Sequence, residues 1–172
     1  MECLINNPVR NDKPGGTMTT RETFDGLLAR YISFVGQRPL DQALEQALDA
    51  QFPADGHDFQ ALQSACMAGI SEGWLCNREG GGIRYGRVVK PTAASGGFSV
   101  DVVDMNDVRG PHHGHPNGEI DLIMPIDAAA RFDGKGAGWL VYGPGSAHHP
   151  TVTAGRALVL YLLPGGAIEF TR

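Results

Sequence analysis

The chain has 172 residues, 42% of them hydrophobic and 19% charged, with a formal net charge of −5. That length suits one domain with a substantial core and is too short for two full ones. The acidic balance argues against nucleic acid or an anionic membrane surface as a main partner, and no run of eighteen apolar residues offers a membrane span.

The opening "MECLINNPVRNDKPGG" has neither a continuous apolar core nor a small-residue cleavage site. Residues 1–19 therefore read as a flexible tail without a signal peptide, and Met18 offers an alternative start. Cys3, Cys66 and Cys76 are scattered, which fits reduced thiols and a cytoplasmic location better than a disulfide framework. Residues 20–75 carry a helical pattern. In "TTRETFDGLLARYISFVG" the residues Phe24, Leu27, Leu28, Tyr31, Ile32 and Val35 follow 3-4 spacing behind Thr20 as N-cap, with Glu22 in the first turn. "PLDQALEQALDAQF" repeats the spacing, and "DFQALQSACMAGISEGW" gives a third helix, with His57 near its start. These helices carry no obvious chemistry and read as a layer for packing or for a homodimer contact.

After Trp74 the texture changes. "IRYGRVVK", "FSVDVVDMN", "EIDLIMPI", "GWLVYG", "ALVLYLL" and "AIEFT" are short β-branched and aromatic runs separated by Gly- and Pro-bearing turns. That rhythm predicts an antiparallel sandwich or small barrel over residues 76–172, and an α+β, mainly β architecture overall.

"PHHGHPNGEID" then stands out. Residues two apart on a strand share a face, so His113 and His115 project together, and Glu119, Asp121 and Ile123 do so after the turn. Burying such groups without partners costs several kcal/mol each. A divalent Fe, Mn, Ni, Zn or Cu ion removes that cost, since imidazole nitrogen and carboxylate oxygen are its ligands. A metal-free hydrogen-bonded cluster is the alternative. "YGPGSAHHPTV" adds His148 behind a Pro-Gly turn; parity turns His149, like His112, away from the interior.

"HGHPNGE" and "GPGSAH" resemble the two motifs of the cupin superfamily, His-x-His-x-x-x-Glu and Gly-x-x-His. The resemblance covers about residues 80 to 172. It implies a jelly-roll barrel with His113, His115, Glu119 and His148 as ligands of a divalent transition metal. The departures, Asp107 and Ile126 at motif-flanking glycines and Val152 at an asparagine, fall on turn positions. The longer string "PHHGHPNGEIDLIMP…FDGKGAGWLVYGPGSAHHPTV…VLYLLPGGAIEFT", with its helical preface, is similar to the 4-hydroxylaminobenzoate lyase family. That resemblance implies conversion of a small aromatic carboxylate, 4-hydroxylaminobenzoate, to protocatechuate and ammonia.

Such a reaction adds one water and loses ammonia without net redox change, so neither flavin nor nicotinamide is required, and no dinucleotide fingerprint is present. Asp121, raised in pKa by apolar neighbours, could protonate the leaving oxygen; alternatively it is a buried carboxylate that orients a histidine. Glu119 could ligate the metal or act as a free acid/base. Arg84 or Arg87 could hold the substrate carboxylate. Rival readings are a cupin dioxygenase and a non-catalytic binding module.

Overall fold

The computed structural model describes residues 18–171. Of the tail expected over residues 1–19, residues 1–17 lie outside the described residues, whereas Thr19 belongs to the start of the first helix. Among the described residues three helices come first: α1 (Thr20–Val35), α2 (Gln42–Gln51) and α3 (His57–Glu72). The N-cap of α1 is Thr19 rather than Thr20. Thr19 Oγ1 accepts from the Glu22 N–H at 3.2 Å, while Glu22 Oε2 accepts from the Thr19 N–H at 2.8 Å. Only Thr19 stands three residues before that glutamate, the spacing a reciprocal capping box needs. No helix among the described residues is long and apolar enough to cross a membrane.

Ten strands follow: β1 (Arg78–Gly80), β2 (Ile83–Val89), β3 (Phe98–Arg109), β4 (His113–His115), β5 (Glu119–Pro125), β6 (Arg131–Phe132), β7 (Gly138–Tyr142), β8 (Ser146–His148), β9 (Thr151–Pro164) and β10 (Glu169–Phe170). Every ladder is antiparallel. They make two sheets rather than one closed ring. The larger runs β1-β2-β3-β9-β5-β7, with β6 also on β9, and the smaller runs β10-β4-β8.

The central strands of the large sheet, β3, β5 and β9, are buried on both faces over most of their length, and the alternation of side chains assigns each residue to one of them. Ile120, Leu122 and Met124 of β5 join Leu158, Leu160 and Leu162 of β9 against the helices. Ile123 of β5 and Val159, Tyr161 and Leu163 of β9 face the other way, toward the small sheet. The helix side is tightly built. Tyr31 of α1 meets Trp139 of β7 edge-on at 5.0 Å, and Trp139 Nε1 donates to the Phe52 carbonyl at 3.1 Å. Helix α2 also lies along β7, the last strand of the sheet. Glu45 Oε2 accepts from the Val141 N–H and Asp49 Oδ1 from the Trp139 N–H, both at 2.9 Å. Lys135 Nζ bridges the same two carboxylates at 2.7 and 3.2 Å.

Two bends shape the other side. Strand β3 breaks register between Asn106 and Val108, with Asp107 at φ +43°, and β9 kinks at Ala154 (φ +62°) and Gly155 (φ +122°). The bends are tied to each other, since Asp107 Oδ1 accepts from the Gly155 N–H at 3.0 Å. Gly155 is required there: a Cβ would come within 2.6 Å of the Asp127 carboxylate.

Candidate metal centre

His113 and His115 lie two apart on β4, so both point inward, and the exposure of the strand alternates accordingly. Antiparallel pairing sets His113 opposite His148 of β8. A tight turn then delivers the chain to β5. Gly118, at φ +84°, takes that turn where a Cβ would lie 2.7 Å from the Tyr142 carbonyl. Glu119 and Asp121 follow on the inward face of β5, and both are fully buried.

The four residues expected as ligands converge. One ligand atom from each of His113, His115, Glu119 and His148 lies within 4.8 Å of the other three. His148 Nε2 is 3.2 Å from His113 Nε2 and 3.6 Å from Glu119 Oε1. His115 Nδ1 is 3.3 Å from Glu119 Oε2, without hydrogen-bond geometry. Among the described residues, both nitrogens of His115 and Nδ1 of His113 are buried without a hydrogen-bond partner, and the oxygens of Glu119 and Asp121 have none outside that pair of carboxyl groups. So many unpartnered polar atoms in one place are costly unless a ligand satisfies them.

The donor set fits a divalent transition metal. Burial, reinforced by neighbouring imidazoles, holds His113 down at about 4 and His115 at about 3, so both are neutral at pH 7, the form that ligates. Bonds of about 2.0–2.2 Å to one ion set neighbouring donors about 3.0–3.5 Å apart, which brackets the closest pairs here. Glu119 is pushed up to about 8 by burial, and Asp121 lies well above its ordinary value through burial and the Glu119 charge beside it. A cation would reverse that shift for Glu119.

Asp133 escaped the sequence reading. It sits with Gly134 in a two-residue hairpin turn closed by Phe132 and Lys135, both central residues having positive φ (48° and 83°). "DG" is a legible signal for that turn; nothing in it announces that the carboxylate reaches His148. Asp133 Oδ2 is 2.5 Å from His148 Nδ1 and accepts from the Tyr142 hydroxyl at 2.6 Å. Burial alone would raise its pKa, but the bonds from His148, Tyr142 and the Thr151 N–H hold it below its ordinary value.

A cavity of about 1050 Å³ opens between the sheets beside this cluster. His113, Tyr85, Arg87, Tyr161 and Phe170 are among its walls, whereas Glu119, Asp121, His115 and His148 are not. Arg87 shares its inward face with Tyr85, and its Nε donates to Asp101 at 3.0 Å. Arg84 stands three residues away, hence on the opposite face, 3.9 Å from Asp104, which also takes a two-bond contact from Arg156. The structure thus brings Arg87, and not Arg84, to the cavity. Arg78, Lys90 and Arg109 line it too. His112 and His149 stand apart from the cluster. Their rings pack at 4.9 Å, and they bond Thr171 Oγ1 and the Gly110 carbonyl respectively.

Residues 27–170, from α1 to β10, match the sequence profile of the 4-hydroxylaminobenzoate lyase (PnbB) family. The chain belongs to that family. The 4-hydroxylaminobenzoate lyase of Pseudomonas putida is 29% identical over 170 residues, spanning 89% of this chain and 97% of that protein. The enzyme of the same name from Nocardioides sp. (strain LMS-CY) is 29% identical over 149 residues, 81% and 88% of the two chains. Among solved structures the chain is similar to the DMSP lyase DddQ of Ruegeria pomeroyi DSS-3, with a TM-score of 0.43, 19% identity and coverage of 87% and 96%. It is also similar to an RmlC-like cupin protein of Ralstonia eutropha, with a TM-score of 0.39, 11% identity and coverage of 52% and 59%. All four candidate ligands fall within the segment that matches the family.

Proposed function

We propose that the protein is a metal-dependent lyase that converts 4-hydroxylaminobenzoate and one water to protocatechuate and ammonia. The observation that carries the metal centre is the convergence of three imidazoles and Glu119, buried and short of protein partners, beside the cavity on whose wall His113 stands. The activity follows the lyase family to which the chain belongs. When bound, the ion supplies a Lewis-acid centre beside the cavity.

The protein's own groups meet the remaining demands of the reaction. Arg87, on the cavity wall, holds the carboxylate end of the substrate, and Tyr85 and Phe170 flank its ring. The hydroxylamino nitrogen then lies toward His113. Asp121, whose pKa is raised by burial and by the Glu119 charge, is the proton store for the departing N–OH oxygen. Neither Asp121 nor Glu119 stands on the cavity wall, where His113 alone represents the cluster, so the proton crosses the cluster to reach the substrate. Water adds at the ring carbon next to the nitrogen, and hydrolysis of the resulting imine releases ammonia.

Ammonia release from 4-hydroxylaminobenzoate, measured together with the metal content of the same preparation, tests the reading. Asp121→Asn is expected to keep the metal and lose turnover by about 100-fold or more, while Glu119→Gln weakens metal binding as well. Wild-type turnover in a demonstrably metal-free preparation overturns the metal centre. Wild-type turnover by Asp121→Asn removes Asp121 from the proton path.

A further inference from the structure

The geometry points to Asp133 as a positioning residue that fixes the proton of His148 on Nδ1 and so turns the Nε2 lone pair toward the His113–Glu119 cluster. The inference rests on the metal-centre reading above, and it concerns a residue outside the ligand set.

Asp133 is held from several sides. Its backbone N–H donates to the Thr151 carbonyl, and its Oδ1 accepts from the Thr151 N–H, both at 2.8 Å. Its other oxygen, Oδ2, meets the Tyr142 hydroxyl at 2.6 Å and His148 Nδ1 at 2.5 Å. An ionised carboxylate only accepts. The ring proton of a neutral His148 therefore sits on Nδ1, facing Asp133, and Nε2 is left with its lone pair. That atom lies 3.2 Å from His113 Nε2 and 3.6 Å from Glu119 Oε1, in the middle of the candidate ligands. With the proton on Nε2 instead, an N–H would point into the place where the ion binds. A histidine ligand whose second nitrogen is fixed by a carboxylate keeps both its tautomer and its ring orientation.

The turn makes the role separable from packing. The Thr151 N–H is a fixed donor and demands an acceptor on its side of the Asp133 side chain. In Asp133→Asn, a substitution of nearly equal shape, the amide oxygen must therefore face Thr151 and the NH2 must face His148. Nδ1 then becomes an acceptor, the proton moves to Nε2, and the ligand atom is blocked with little change in volume.

Two measurements on the full-length chain test this. Proton–nitrogen NMR correlation of the histidine rings in metal-free protein is expected to show His148 protonated on Nδ1 in the wild type and on Nε2 in Asp133→Asn. Absorbance titration with cobalt(II) is expected to show a 10- to 100-fold weaker affinity for Asp133→Asn, with the thermal midpoint of the metal-free variant close to the wild-type one. Tyr142→Phe leaves the carboxylate in place and is expected to keep both the Nδ1 proton and cobalt affinity within a few-fold. A wild-type His148 protonated on Nε2, or wild-type cobalt affinity in Asp133→Asn, overturns the proposal. Wild-type protein that takes up no cobalt overturns the metal centre instead, and the ring-proton measurement still decides the role of Asp133.

Discussion

Strand β5 serves two regions that differ in almost every physical respect. Toward the helices, Ile120, Leu122 and Met124 fill a core braced by edge-on aromatic contacts. On the opposite face, Glu119 and Asp121 are as deeply buried but have, among the described residues, no hydrogen-bond partner beyond each other. One face lowers the free energy of folding, and the other raises it until a ligand arrives. Under the proposed function, stability and chemistry fall to alternate residues of one strand, so substitutions on one face should leave the property of the other largely intact.

The largest effect that should break this division is expected from Trp139→Ala. Trp139 is fully buried and touches both Tyr31 and Phe52, and its removal is expected to cost about 3–5 kcal/mol in urea unfolding. The surviving folded fraction should still bind metal with wild-type affinity. A parallel loss of affinity would show the two faces to be coupled.

A pH series sharpens the comparison with an intermediate effect. In the metal-free protein Glu119 is raised from 4.5 to about 8, and Asp121 is raised as well. The folded state keeps these protons over a range where the unfolded chain has lost them, so stability falls as pH rises toward 8. His113 and His115, lowered to about 4 and 3, act with the opposite sign, but only below the ordinary histidine value of 6.5. Between pH 6.5 and 8 the carboxyl groups act alone, at about 1.4 kcal/mol per pH unit for each proton retained. Urea unfolding in the presence of a chelator should show this decline, and saturating metal should abolish it. A flat profile without metal would mean that the buried carboxyl groups are already satisfied.

The smallest effect concerns the helix side alone. Glu45→Ala removes the acceptor of the Val141 N–H and one partner of Lys135, and is expected to cost roughly 1–2 kcal/mol. Metal affinity and turnover should not move. A shift in either would show that α2 supports the site as well as the strand it covers.

Much of this was legible because it is periodic. Phe24 to Val35 follow the helical repeat, and His113 with His115, and Glu119 with Asp121, follow the strand repeat. Each set therefore announces a shared face. What lacked a repeat stayed hidden. Strands β4, β6 and β8 are two or three residues long, too short for any alternation to show. The role of Asp133 depends on a contact across 15 residues with His148, which no local pattern encodes. Arg84 and Arg87 lie an odd number of residues apart, so opposite faces could be read from the sequence. Which face holds the cavity depends on the pairing of β2 with β3 and on the path of the small sheet.

The grip of α2 on β7 has a consequence for how copies of this chain can meet. The outermost strand of an open sheet ordinarily presents a row of free N–H groups, which can recruit a strand from another molecule. Here the Trp139 and Val141 N–H groups are already committed to Asp49 and Glu45. Growth of the sheet by strand addition is therefore closed at the β7 end, and any association of that kind must use the far end, at the three-residue strand β1.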